Sequence, residues 1–264
     1  MRLCDMTSRG PTVRDRAARD MRVPAVLAAL ILAGPAAARC GDGPKPRVDW
    51  SGCGKEQLML GQTDLSGAVL SKAALTGSDF TGAALPGARL DETEISRARF
   101  DGANLSGADF TRAVGWHSSF AGALLDKTNF TLADMSRSVF AKARLPGASF
   151  AKAEVNRSDF GGADLSGADM TKAELARVSF QRARLAGVNF SQSNLSRAQL
   201  SGAVLEGANF AGAYLFRTRL QGVDLSRAVG LKQEQLDIAC GSRETKLAAG
   251  LAPSRAWPCE TDEE

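Results

Sequence analysis

The chain has 264 residues, enough for one or two ordinary domains, yet Tyr214 is its only tyrosine, His117 its only histidine, and aromatics make up 6%. That monotony argues against an ordinary globular core, while a 44% hydrophobic content spread evenly along the chain excludes wholesale disorder. The formal charge of +4 falls to +1 from Arg39 onward, where 27 basic residues face 26 acidic ones, so the chain has no global electrostatic footprint for nucleic acid.

Residues 1–38 read as a leader. From Met21 the sequence runs MRVPAVLAALILAGPAAARC: a basic start, an apolar run from Val23 to Ala33, a Gly34-Pro35 break, then Ala36, Ala37 and Ala38. This is the layout of a secretory signal peptide with cleavage after Ala38. The run is far shorter than the roughly 20 apolar residues of a bilayer span, so no stable membrane insertion is expected. Arg39 ahead of Cys40 departs from a lipoprotein signal, where a small residue precedes the cysteine. Residues 1–20 are either a long basic leader or the product of an upstream start codon, with Met21 the natural start. The expected location is the periplasm or the outside of a bacterial cell.

Loss of the leader discards Cys4 and leaves Cys40, Cys53, Cys240 and Cys259. An even number in an exported chain points to two bridges, whereas a cytosolic chain would hold free thiols. Of the three possible pairings, sequence proximity favours Cys40–Cys53 and Cys240–Cys259, each worth about 3 kcal/mol. Neither CxxC spacing nor paired histidines are present, so a zinc site is not expected. Residues 39–59 form an N-terminal cap segment, in which Val48, Trp50 and Cys53 already fall in the fivefold register of residues 60–230, and Trp50 is placed to lid the first coil.

Over residues 60–230 one pattern governs. From Leu65 to Leu225 every fifth residue is large and apolar except Gly115, and two residues before each sits Ala, Ser, Thr or Val. Neither the helical period of 3.6 nor the strand period of 2 gives this spacing. A chain that turns a corner after every five residues does. Residues twenty apart also match: Arg97, His117, Arg137, Arg157, Arg177, Arg197 and Arg217 form one series, and Phe80, Phe100, Phe120, Phe140, Phe160 and Phe180 another. Four repeats therefore make one coil with four faces. About eight coils at a strand spacing of roughly 4.8 Å would give a rod near 40 Å long.

The strings ANLSG (103–107), ADLSG (163–167), ADMTK (168–172) and ANFAG (208–212) resemble the units of pentapeptide-repeat proteins. The resemblance covers about two-thirds of the chain and implies an all-β fold, a right-handed quadrilateral β-helix. It is specific for fold and nearly silent on function. Members often associate end to end, which a tethered C-terminal cap would oppose.

Residues 231–264 form a C-terminal helix and tail cap. LKQEQLDIAC (231–240) reads as a short α-helix ended by Gly241, with Leu231, Leu236, Ala239 and Cys240 turned to the last coil and a tail returning to Trp257 and Cys259. Lys232 stands where a capping Ser or Thr would be better.

Three irregularities mark candidate sites. Gly115 interrupts the core series, and the expectation is either a local dent filled by Trp116 or a kink or small groove with a binding role. Glu94, Asp134, Glu154 and Glu174 precede Arg97, Arg137, Arg157 and Arg177 by three residues, and are expected to offset the stacked arginines. That acidic series ends at Asn194 and Tyr214, leaving Arg197, Tyr214, Phe216, Arg217 and Arg219 as a cluster of cations and outward aromatics typical of binding hot spots, unless the tail packs over it.

No nucleophile, base or phosphate-cradling loop is assembled, so neither catalysis, nor a cofactor, nor a small-molecule substrate is expected. The leading expectation is an exported, noncatalytic scaffold that binds a protein or envelope polymer along a flat face. The alternative comes from the resemblance: some pentapeptide-repeat proteins imitate DNA toward gyrase, a topoisomerase, with an acidic rod. Here residues 61–230 carry 19 basic and 16 acidic residues, the wrong sign for phosphate mimicry. A third possibility is a structural filler with no specific partner.

Overall fold

The computed structural model describes residues 40–259. The leader, the proposed cleavage point after Ala38 and the last five residues lie outside them. From Asp49 onward, parallel β-bridges join each residue at the fourth place of a repeat to the one twenty further on: Asp49 to Val69, Val69 to Arg89, Arg89 to Asp109, and so to Asn209 and Val229. Each face contributes one bridging residue per coil, so the polypeptide closes a four-sided turn every twenty residues and stacks directly on itself.

Backbone hydrogen bonds fix that register. The amide of each core residue donates one coil up, as Phe120 N does to Val139 O at 2.7 Å. The corner amide does the same, as Arg97 N does to Trp116 O at 2.9 Å. Inside each corner an i to i+3 bond, such as Ala103 N to Phe100 O at 3.0 Å, tightens the turn. The second central residue of each turn adopts positive φ, 67° at Gly107 and 61° at Arg157. Glycine takes that conformation freely, and an L side chain is strained in it.

The core is a pair of phenylalanine columns with aliphatic columns between them. Phe120 and Phe140 stack at 4.8 Å with planes 1° apart, and Phe110 meets Phe120 edge to face at 5.8 Å. Both arrangements are favourable for ring quadrupoles, so the columns fill the interior without a polar group. Where serine or threonine replaces the small inward alanine, its hydroxyl finds a carbonyl: Ser158 Oγ donates to Met135 O, and Thr218 Oγ1 to Leu195 O. Such buried hydroxyls are compatible with the core because each is satisfied.

Trp50 is buried at the first core position, and its indole nitrogen donates to Asp42 O at 3.0 Å. At the other end the bridges continue beyond Gly230, but with stretched spacing: Arg219 pairs with Cys240 and Asp224 with Lys246. The extra residues are taken up by α1, Gln233–Asp237. It is shorter than the segment 231–240 because Ala239 and Cys240 must leave the helical path to pair with the coil beneath. Leu236 is buried, and Gln235 donates to Phe210 O and Ala213 O, satisfying carbonyls of the last coil. The Lys232 side chain, which has no acceptor, leaves the first turn of α1 uncapped. Gln235 Oε1 instead accepts from Lys232 N.

The cysteines stand as Cys40–Cys53 and Cys240–Cys259, with Cα atoms 5.6 and 5.4 Å apart. This is the pairing favoured by proximity. Trp257 lies against Gly241, where a Cβ would meet the ring, and donates to Ala239 O at 2.7 Å.

Candidate functional site

The expected dent at Gly115 does not exist. A Cβ there would meet Met135 Sδ at 2.5 Å and Ile95 Cγ1 at 3.0 Å, so the neighbours above and below already fill the column. Trp116 does not enter the core: it is 52% exposed, and its indole nitrogen donates to Asp134. The bridges Glu94 to Val114 and Val114 to Asp134 run through the position unbroken, so there is no kink either.

The expected offset between acids and arginines three residues apart is also corrected. Ion pairs among the described residues form mostly elsewhere: Arg144 with Asp126, Arg184 with Asp164, Arg99 with Asp79 and Asp101, Arg227 with Glu206. Among the described residues none joins Glu94, Asp134, Glu154 or Glu174 to the arginine three residues on. The fourth place of a repeat sits mid-face, whereas the arginine stands on the corner and points away. Asp134 accepts from Trp116 and from Ser136 N, and Glu174 from Asn194 Nδ2 at 2.8 Å. Arg97, Arg137, Arg157, Arg177 and Arg197 are consequently exposed corner cations that no carboxylate among the described residues holds.

Opposite corners of the rod are built differently. The corner series Gly67, Gly87, Gly107, Gly147, Gly167, Gly187 and Gly207 is glycine but for Lys127. The arginine corner takes the same turn position, with φ of 58° to 61° at Arg97, Arg137, Arg157, Arg177 and Arg197, and contains no glycine from Arg97 to Arg217.

Of Arg197, Tyr214, Phe216, Arg217 and Arg219, which sequence reasoning grouped, the structure brings Tyr214, Phe216 and Arg217 into contact, while Arg219 stands on the next face. Tyr214 and Phe216 are 51% and 38% exposed, their rings 6.2 Å apart and nearly parallel at 9°. The Arg217 guanidinium carbon lies 5.7 Å from the Phe216 ring centre, a cation–π contact. Arg197 stands one coil below Arg217 on the same corner. Beside that corner opens a groove of about 740 Å³, lined by Gln181, Gln199, Ser201, Phe216, Arg217, Arg219 and Gln221 and by Asp237, Ile238 and Ala239 of the C-terminal segment; Arg197 and Tyr214 are not among its lining residues. The described part of the tail borders this groove through Ala256 and Cys259, and both aromatic rings are exposed. Trp116 holds the same place in its coil as Phe216, but five coils away.

The glutamines were missed by sequence reasoning. Gln181 donates to Gln199, and Gln221 Oε1 is buried without a hydrogen-bond partner among the described residues. Their spacings of 18 and 22 residues follow the diagonal of the coil, and that is the signal that would have found them.

Models of the pentapeptide repeat region match residues 133–210, and models of eight-copy pentapeptide repeats match 59–91, 75–112 and 193–229. The chain belongs to the pentapeptide-repeat family. Members of that family are in general noncatalytic structural or binding proteins. Its right-handed quadrilateral β-helix accounts for the twenty-residue register. Among solved structures the chain is similar to HetL, a pentapeptide repeat protein involved in heterocyst differentiation regulation from the cyanobacterium Nostoc sp. strain PCC 7120. The identity is 27%, over 74% of this chain and 92% of that one, with a TM-score of 0.45. It is also similar to QnrB1, a plasmid-mediated fluoroquinolone resistance protein, at 19% identity over 78% of this chain and 88% of that one, TM-score 0.43. A pentapeptide repeat protein of the Arabidopsis thaliana thylakoid lumen shares 25% identity over 48% of this chain and 79% of that one, TM-score 0.31. No curated protein matches the chain. Among the described residues, no helix is long and apolar enough to cross a membrane, and no group of three or more His, Cys, Asp or Glu is placed to hold a metal ion.

Proposed function

We propose that this pentapeptide-repeat protein is an exported, noncatalytic scaffold of the bacterial periplasm or cell envelope that engages a protein or polymer partner on its arginine-edged face. The observation that carries this reading is the arginine corner. From Arg97 onward each coil holds a residue there in a conformation that strains an L side chain, by about 1–2 kcal/mol on the scale of left-handed residues, although glycine serves the equivalent corner across the rod. Lys72, Glu92, Leu132 and Gln192 take the same turn at another corner, so what distinguishes this one is its charge: arginines exposed from Arg97 to Arg197 with no carboxylate among the described residues holding them, a surface suited to an external partner. The exposed Tyr214–Phe216 pair at the end of that corner supplies the aromatic anchors of a binding hot spot.

Export is supported by the leader pattern and by two cysteine pairs at disulfide distance, which persist in oxidising compartments. In this reading α1 and the tail to Cys259 act as the cap of the rod. They cover the last coil, whose carbonyls Gln235 meets, and leave the faces for binding.

The test is chemical cross-linking in the producing cell. The chain and an Arg197→Ser/Tyr214→Ser variant are expressed from Met21 and their cross-linked species compared. A species present with the natural chain and lost with the variant is expected. Identical profiles for both would leave only a structural filler.

A further inference from the structure

We infer that the acidic segment 260–264 of this same chain docks in the groove beside Arg219 as its built-in occupant, which an external ligand at this end of the rod must displace. This goes beyond the scaffold reading and holds whatever the partner is.

Tethering comes first. Arg219 bridges to Cys240, and Cys240 is closed to Cys259 with Cα atoms 5.4 Å apart. Cys259 and Ala256 line the groove themselves, so the chain passes into residue 260 from the groove wall. Between them Trp257 donates to Ala239 O at 2.7 Å and holds the root of the segment against the same coil. Five further residues, at about 3.3–3.6 Å each, reach roughly 17 Å, enough to lie across Arg219.

Charge says which group of the groove the segment meets. The charged side chains in the lining are Arg217, Arg219 and Asp237. Asp237 accepts from Gln233 Nε2 at 2.9 Å, and Arg217 rests on the Phe216 ring. Arg219 is half-buried and belongs to no ion pair among the described residues, in a setting where water screens its charge less than at an open surface. The segment reads Glu260, Thr261, Asp262, Glu263, Glu264, four carboxylates in five residues. In an extended chain Glu260, Asp262 and Glu264 share one side, so a carboxylate faces Arg219 over a range of registers.

The amide in the wall separates a peptide from a bare anion. Gln221 Oε1 is buried without a hydrogen-bond partner among the described residues, and it needs a donor. A carboxylate only accepts. A peptide brings backbone N–H groups and the Thr261 hydroxyl beside its carboxylates, and so meets Gln221 and Arg219 together.

The tether also decides between this chain and a second copy. A segment held at the rim by a short link has an effective concentration of about a millimolar, so the same residues of another molecule compete only when the protein itself is that concentrated.

The experiment is read on the isolated full chain, so its failure leaves the scaffold reading untouched. Phenylglyoxal labelling of Arg219, followed by mass spectrometry, is compared between the natural chain and Glu260→Gln/Asp262→Asn/Glu263→Gln/Glu264→Gln. An occupant present about nine-tenths of the time slows labelling about tenfold, and the variant should recover that factor while Arg157, far along the rod, reacts equally in both. Thr261→benzoylphenylalanine supplies an independent readout: on irradiation it should insert within residues 217–221 of its own chain, and Arg219→Gln should reduce that yield, with unaltered thermal unfolding showing that the rod is intact. Equal labelling of Arg219 in the two chains, or insertion at scattered positions, would overturn the inference. Insertion into a second molecule, rising with protein concentration, would overturn it in favour of exchange between copies.

Discussion

Met135 occupies the space of the side chain that Gly115 lacks: its sulfur lies 2.5 Å from where a Cβ on Gly115 would stand. The gap in the apolar series is therefore a packing solution spread over two coils. Restoring the repeat pattern with Gly115→Leu should destabilise the protein by about 1–3 kcal/mol through overpacking. Met135→Ala should cost about 2–5 kcal/mol through the cavity it opens. The double variant should cost less than the sum, since the new leucine enters the space the methionine leaves. Thermal or denaturant unfolding of the three variants checks this.

The corners make a second test of the same kind. Gly167→Arg forces a side chain into a turn with φ of 68° and should lose about 1–2 kcal/mol. Arg157→Gly relieves the corresponding strain at φ of 61°, and the greater freedom of glycine in the unfolded chain offsets part of that gain. Its stability should be unchanged or raised. A clear loss of stability in Arg157→Gly would show that the arginine corner is structural, and would remove the main support for a binding face.

Acid should loosen the faces in a defined direction. Asp49, Asp64 and Asp224 each accept a hydrogen bond from the hydroxyl of Ser51, Ser66 or Ser226 and another from the same residue's amide. The hydroxyl bond is the larger cause that holds each carboxyl below its usual value. Folded values lower than unfolded ones mean that this contribution is complete above the ordinary aspartate value of about 3.9 and is lost as pH falls through the folded values. Stability should therefore be flat near neutrality and decline below about pH 4. Asn104 makes the same two bonds to Ser106 without titrating. Asp64→Asn should accordingly flatten the acid limb of the unfolding curve and change little at pH 7.

These contacts show where the sequence was legible and where it was not. Phenylalanines twenty apart announced the columns, because a core position tolerates only large apolar groups and the register is exact to one residue. The arginine corner announced itself the same way. What a side chain touches was harder, since partners lie 18 or 20 residues apart across coils: Arg144 reaches Asp126 and Arg99 reaches Asp79, while the acids three residues before each arginine bond elsewhere. The Asp or Asn followed two places on by Ser or Thr carried a readable local signal, the side-chain turn, that the fivefold pattern masked. Trp116 was misplaced because its neighbour is glycine, and nothing in the local sequence shows that Met135, a coil away, fills the hole.

The rival reading makes a sharp prediction. With a net charge of +3 over residues 61–230 the rod does not imitate phosphates, so stoichiometric excess should leave DNA supercoiling by gyrase unaltered. Inhibition in that assay would return the protein to the cytoplasm and to DNA mimicry.

The most direct test of an exported scaffold is to express the chain from Met21 in a bacterial host, fractionate the cells, and determine the N-terminal residue and thiol content of the product. A periplasmic protein beginning near Arg39, with Cys40–Cys53 and Cys240–Cys259 both closed, is the predicted result, and reduction should then cost about 3 kcal/mol per bridge. A cytoplasmic product with an intact N-terminus and four free thiols would contradict it.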